Sequence, residues 1–361
     1  MCLRAWLAPV VAVGLSAFAC GNPAPQPTAF VESPAAARGE RLLGIDVNAA
    51  ADGDYEAAFN LARQAGMDFT SLTVYWDDLD LPTGFEPEPD YLAIAESYYP
   101  ARDTAIALTV APIDTNRIRL PAHLADRRFD DPAVIDRFLA LLDFVDARTP
   151  GLQLTTLALG NEIDVALGSD GARWAAYERF FEAVVDRARE AHPEAVVGVK
   201  ATHGGLTGYA RKPLQRLTRI AGAVFVTYYA IGDGFQVKSP AAVEADIDHL
   251  VAAYPDLPVY FLEIGCPSGE GLGSSERTQA DFVRAVFRAW DRHADQIRAV
   301  NFTWLTDASP ESVYGFGDYY GLQDAAFFEY LATLGLRSYA GHGEDKAAFG
   351  TLMEEAAARG W

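Results

Sequence analysis

Cysteine is almost missing from this chain: Cys2, Cys20 and Cys266 are the only three in 361 residues, so a packed core rather than a disulfide framework has to hold the domain together. Histidine is sparse as well, with His192 and His203 standing alone and no His-Glu-x-x-His. No His, Cys or carboxylate pair has metal-ligand spacing, so no metal and no cofactor is expected. The absence of Gly-x-Ser-x-Gly argues against a serine hydrolase. Gly-x-Gly-x-x-Gly does not follow the first apolar run, where Gly44-Ile45-Asp46-Val47-Asn48 stands instead, and a dinucleotide-binding turn is thereby disfavoured. Cations are outnumbered, 29 Lys and Arg against 50 Asp and Glu for a formal charge of -21. That balance repels phosphate backbones and polyanionic sugars, which argues against nucleic acid as a partner and fits a neutral substrate. Past the N-terminus no run of about twenty apolar residues occurs, so no later segment is expected to span a membrane.

The N-terminus carries Arg4, an apolar run from Ala5 to Ala19, and then Cys20. This is too short for a spanning helix and reads as an export signal over residues 1–20. Ala17-Phe18-Ala19-Cys20-Gly21 resembles a bacterial lipobox, with Ala17 where leucine is usual. The expected product is exported: a cell-surface or periplasmic lipoprotein whose only membrane attachment is a lipid at Cys20, or a secreted protein. Residues 21–40, rich in Pro and Ala, read as a flexible tether. Residues 41–361 suit one barrel-sized domain, expected to act as a monomer.

From Leu42 onward, short and nearly continuous apolar runs alternate with helical periodicity. The runs are Leu42 to Val47, Phe69 to Tyr75, Ala105 to Ala111, Leu154 to Gly160, Ala195 to Lys200, Ala223 to Tyr228, Pro258 to Glu263 and Ala299 to Trp304. Continuous apolar strands mean that both faces are covered, as in a parallel sheet under helices. Helices are predicted over 54–65, 131–147, 171–191, 240–253 and 275–295, the first capped by Asp52 or Asp54 and ended by Gly66. Eight βα units close most simply as an α/β (β/α)8 TIM barrel, with a doubly wound open sheet as the alternative.

Barrel chemistry sits where strands end. Two of these runs lead into glutamate: Leu157-Ala158-Leu159-Gly160-Asn161-Glu162 and Val259-Tyr260-Phe261-Leu262-Glu263. A carboxylate beside so apolar a run costs desolvation unless it has partners or work. Hydrolysis of a glycosidic bond with retention needs two carboxyl groups about 5 to 5.5 Å apart, one protonated and one ionised. The pattern resembles the clan A glycoside hydrolases, barrel enzymes with Asn-Glu ending strand four and a nucleophilic Glu ending strand seven. The resemblance implies that Glu162 is the general acid/base, that Glu263 is the nucleophile and that Asn161 binds the sugar 2-hydroxyl.

It extends to Thr227-Tyr228-Tyr229, where Tyr228 would stand beside the nucleophile, to Trp304 as a sugar-stacking floor, and to the tail with Leu334-Gly335-Leu336-Arg337, Gly343 and Lys346. It departs at the end of strand two, where many members carry an arginine and this chain reads Thr73-Val74-Tyr75-Trp76-Asp77-Asp78. Further candidate contacts are Asp46 and Asn48, Trp76, Asp114 with Asn116, and His203, polar or aromatic groups over an apolar floor. The 314–320 stretch, with Phe316 and Tyr319, reads as an aromatic loop over the cleft. Cys266 reads as a small apolar filler. Two functions fit: a retaining glycosidase acting on a neutral poly- or oligosaccharide, and a non-catalytic glycan-binding surface lipoprotein on a degenerate barrel.

Overall fold

The computed structural model describes residues 35–361. The export signal and Cys20 lie outside the described residues, as does the tether up to residue 34. Eight strands follow in order: β1 Leu42–Ile45, β2 Phe69–Tyr75, β3 Ala105–Ala111, β4 Leu154–Ala158, β5 in two pieces at Val196–Gly198 and Lys200–Thr202, β6 Val224–Tyr229, β7 Val259–Gly265 and β8 Ile297–Phe302. Each pairs in parallel with its sequence neighbours, and β8 returns to β1. The first piece of β5 pairs with β4 and the second with β6, so the sheet order begins and ends on one strand and the ring is closed. This is the (β/α)8 barrel, and the open sheet is excluded.

The outer layer is α1 Tyr55–Gln64, α2 Tyr91–Tyr98, α3 Pro132–Arg148, α4 Gly171–Ala191, α5 Arg211–Ala221, α6 Pro240–Ala253 and α7 Glu276–Arg292, followed by α8 Pro310–Tyr320, α9 Ala325–Ala332 and α10 Ala347–Ala357. Side-chain caps start most of them: Asp54 accepts from the Ala57 amide, Asp170 from Ala172, Ser239 from Ala242 and Ser275 from Thr278. Each such cap is worth about 1 kcal/mol. Asp54, not Asp52, caps α1. The 314–320 loop expected from the sequence is instead the end of α8, begun by Ser309 and Pro310 and ended by Gly321 in the left-handed region. Gly317 hid the helical period there, and a Cβ at that position would come within 2.6 Å of the Phe328 ring. The glycine is the condition for α8 to lie against α9.

Phe69, Phe225 and Leu262 fill the lower barrel interior with Ala107, Ala158, Ala223 and Ala299. The two large rings fit because β1 and β5 present glycine to them. A Cβ on Gly44 would meet Phe69 at 2.5 Å, and one on Gly198 would meet Phe225 at 2.8 Å. The interior is therefore plugged below, each buried Phe contributing roughly 2–3 kcal/mol, and a cavity remains only towards the C-terminal ends of the strands.

Candidate active site

That cavity, of about 430 Å³, opens among the loops after the strands. Asp46, Ser71 and Thr73 line it from β1 and β2, Asn161 and Glu162 from the turn after β4, Tyr229 and Glu263 from β6 and β7, and Trp304 from beyond β8. Phe316 and Tyr320 of α8, with Phe327 and Tyr330 of α9, complete the wall.

Glu162 sits at φ 44 and ψ 44, a left-handed conformation uncommon for a residue with a Cβ. Strain of order 1–3 kcal/mol is tolerated at such a position when the surroundings over-determine it. Here they do: the Asn161 amide donates to the Ile113 carbonyl, and the Thr115 amide donates back to the Asn161 carbonyl. The Glu162 carboxylate then accepts from Thr227 Oγ1 at 2.6 Å on Oε1 and from Thr115 Oγ1 at 2.8 Å on Oε2. Burial first, and the nearby Glu263 charge second, raise its pKa to about 7, against the two hydroxyl bonds, which act to lower it.

Glu263 lies within β7, not at its end, and a bulge delivers it. Register against β6 jumps from Val226↔Phe261 to Thr227↔Glu263. Strict alternation would turn Glu263 outward, because Leu262 already faces the barrel interior. The extra residue lets both face in. Glu263 Oε1 is ion-paired with Lys200 Nζ of β5 at 2.6 Å, and Oε2 accepts from the Tyr229 hydroxyl at 2.7 Å.

Asn161 donates through Nδ2 to Asp114 Oδ1 at 2.7 Å, an orientation fixed by an acceptor-only carboxylate, and its own Oδ1 is buried without a partner. Asp114 Oδ2 accepts from Tyr319 at 2.7 Å, which ties α8 to the loop after β3. Asp46 accepts from Asn301 at 2.7 Å and from Thr303 at 3.2 Å, and burial raises its pKa against the hydrogen bonds of Asn301 and Ser71 and the Lys200 charge. Trp304 stacks on Phe316 with centroids 5.8 Å apart and planes 16° from parallel. Asn116 lines the cavity while donating to the Tyr320 carbonyl.

Four expected contacts, Trp76, Tyr228, His203 and Asn48, do not line the cavity. Trp76 is fully buried outside the barrel, its Nε1 donating to Asp80 at 3.2 Å and its ring edge-on to Phe138. On β2 the inward residues are Ser71, Thr73 and Tyr75, so the next position turns away. Tyr228 also points outward, its hydroxyl on Asp246 of α6 at 2.8 Å. The tyrosine beside Glu263 is Tyr229, in phase with Thr227. His203 packs edge-on to Tyr228 and contacts the Asp246 carbonyl at 3.0 Å, with burial lowering its pKa. Asn48 is spent on the Thr306 backbone. Cys266 is buried, and burial pushes its thiol up to about 12, which leaves it unreactive.

Thr115, Tyr75 and Lys200 escaped the sequence reading. Strand parity from Thr73 would have found Tyr75, whereas Lys200, closing an apolar run, carried no signal that set it apart from an ordinary strand end.

No family model matches the chain, and no curated protein matches it. Solved structures do. An exo-β-1,4-mannosidase from Opitutaceae bacterium strain TAV5 superposes with a TM-score of 0.66 at 18% identity, covering 88% of this chain and 59% of that one. GH5_18 from Streptomyces cattleya, solved in complex with GlcNAc, gives 0.64 at 16% identity over 90% and 80%. The GH53 catalytic domain of Ignisphaera aggregans gives 0.63 at 14% over 88% and 96%. This chain thus spans about three fifths of the mannosidase's length. The likeness establishes the fold, a (β/α)8 barrel that this chain shares with these glycoside hydrolases.

Proposed function

We propose that this protein is a retaining glycoside hydrolase acting on a neutral poly- or oligosaccharide, with Glu263 as nucleophile and Glu162 as general acid and then base. The observation that carries this reading is the contrast between the two carboxyls in one cavity. Glu263 is ion-paired, as an attacking carboxylate should be. Glu162, free of any cation and raised to about 7, is suited to hold a proton for a leaving oxygen.

In the first step a Glu263 oxygen attacks the anomeric carbon while Glu162 gives its proton to the departing glycosidic oxygen. In the second, Glu162 takes a proton from water, the water oxygen bonds to the anomeric carbon, and the ester pair returns to Glu263. The free Asn161 Oδ1 offers an acceptor to a sugar hydroxyl, and Trp304 a face for the ring. Asp46, Asp114 and Glu162 around the cavity favour an uncharged sugar. Delivery beyond the inner membrane by residues 1–20 belongs to the same proposal.

The test is release of reducing sugar from a panel of neutral β-glycans by wild type and Glu263→Ala. The expected result is reducing-sugar release by the wild type alone, with cleavage restored in the variant by azide and read by NMR or mass spectrometry as an inverted glycosyl azide, which has no reducing end. Undiminished activity in Glu263→Ala would refute the assignment. A wild type that binds a glycan of the panel without cleaving it would favour the binding lipoprotein.

A further inference from the structure

We propose that Lys200 is the positioning residue of Glu263, orienting it and balancing its charge from β5 in place of the cation that the end of β2 lacks. The inference rests on the reading of Glu263 as nucleophile. Lys200 has a side chain only 3% exposed, and its ammonium meets one carboxylate, at 2.6 Å. A buried ammonium is retained at a cost, which a purely structural position would avoid with an apolar side chain. Lys200 is not among the residues lining the cavity, so it acts on substrate only through Glu263.

Among the described residues no other cation is placed to do this. The end of β2 presents Thr73 and Tyr75 to the cavity. The nearby Arg119 is committed to Asp77 at 2.7 Å and Asp78 at 2.9 Å, with its guanidinium over the Tyr75 ring.

The local fold explains the placement. β5 is interrupted at Val199, and the piece beginning at Lys200 pairs with β6 opposite Phe225. The Lys200 amide donates at 3.2 Å to the carbonyl of Gly160, in the turn that carries Glu162. One residue therefore ties the support of one carboxyl to the charge of the other. Around that pair stand Asp46 from β1, Glu162 from beyond β4, Tyr229 from β6, Tyr75 from β2 and Tyr330 from α9. Among the described residues Lys200 is the positive charge set against Glu263 and Asp46, while Glu162 has no cation beside it. In the second half-reaction the glycosyl ester breaks and its electron pair returns to Glu263, so the ammonium assists departure as well as attack.

The experiment compares wild type, Lys200→Met and Lys200→Arg for steady-state kinetics across pH, with folding checked by circular dichroism. Lys200→Gln is the second neutral variant should Lys200→Met not fold. In either neutral variant kcat should fall about 100-fold with KM not rising. Lys200→Arg should recover at least about tenfold of that loss. A folded neutral variant with kcat within about threefold of wild type, or a loss wholly in KM, overturns the proposal.

A second arm needs no turnover. In protein labelled with 13C at the glutamate carboxyls, the Glu263 signal, identified by its loss in Glu263→Gln, should change in chemical shift at pH 8 between wild type and Lys200→Met, because its ammonium partner at 2.6 Å is gone. An unchanged Glu263 signal overturns the pairing. A wild type inactive on every glycan would sink the glycosidase reading alone, because this arm still decides what Lys200 does to Glu263.

Discussion

Thr227 donates its hydroxyl to Glu162 at 2.6 Å while its backbone stands in register with Glu263 on the neighbouring strand. Two residues on, Tyr229 holds Glu263 itself. One edge of β6 thus grips both carboxyls through side chains of the same phase. Because the Thr227 bond favours the ionised form of Glu162, its removal should raise the pH at which the acid loses its proton. The basic limb of kcat/KM should lie near pH 7 in the wild type, where Glu162 loses its proton, and Thr227→Val is expected to move it upward by up to about one unit. A downward shift would contradict the assignment of Glu162 as the acid.

Glu162 also carries a stability cost with a defined pH window. Its folded value of about 7 lies above its ordinary 4.5, so the folded state keeps the proton longer than the unfolded chain. Below pH 4.5 both states are protonated and the cost vanishes. It grows from pH 4.5 to 7 and is constant above, at about 3 kcal/mol. Glu162→Gln should therefore gain on the wild type in urea midpoint across that window, an advantage absent at pH 4 and full at pH 8. Equal midpoint differences at the two pH values would show that the carboxyl is not perturbed as described.

The two adjacent tyrosines of β6 should separate by function. Tyr229→Phe removes a hydroxyl from Glu263 and should lower kcat by about 10- to 100-fold. Tyr228→Phe removes one from Asp246, outside the barrel, and should leave kcat within about twofold while costing about 1 kcal/mol of stability. Steady-state kinetics beside thermal melts checks both, and the reverse pattern would restore Tyr228 to the site.

Tryptophan offers a second such pair. Trp76→Phe, in the core against Phe138, should destabilise by about 1–3 kcal/mol with KM unchanged. Trp304→Ala should raise KM about tenfold or more, at a smaller cost in stability, because its face borders the cavity. Denaturation and kinetics on the same preparations distinguish them.

These pairs mark where the sequence was legible. The barrel could be read because both faces of every strand are covered, which makes the runs continuous, and β2 and β3 fall at their expected bounds. That Glu162, Glu263, Asn161, Asp46 and Trp304 border the cavity could be expected because a polar or aromatic residue in or just after an apolar run stands out against its neighbours. Which of two consecutive tyrosines faces inward could not be settled from composition, since strand phase is a property of the sheet. The bulge at Leu262 that turns Glu263 inward is a register event with no residue signature. Lys200 was hidden for the opposite reason: a charged residue closing an apolar run looks like the end of a strand, and its carboxylate lies 63 positions away.

The described chain begins and ends on the side of the barrel away from the cavity. The Arg38 amide donates to the Arg359 carbonyl, Arg38 pairs with Asp68 just before β2, and Trp361 donates to the same Asp68. A linker, bead or partner domain joined at Trp361 would therefore meet the closed base and leave the mouth unobstructed. The same neighbourhood of ends suits circular permutation, with residues 361 and 35 bridged and new termini cut in a loop away from α8 and α9.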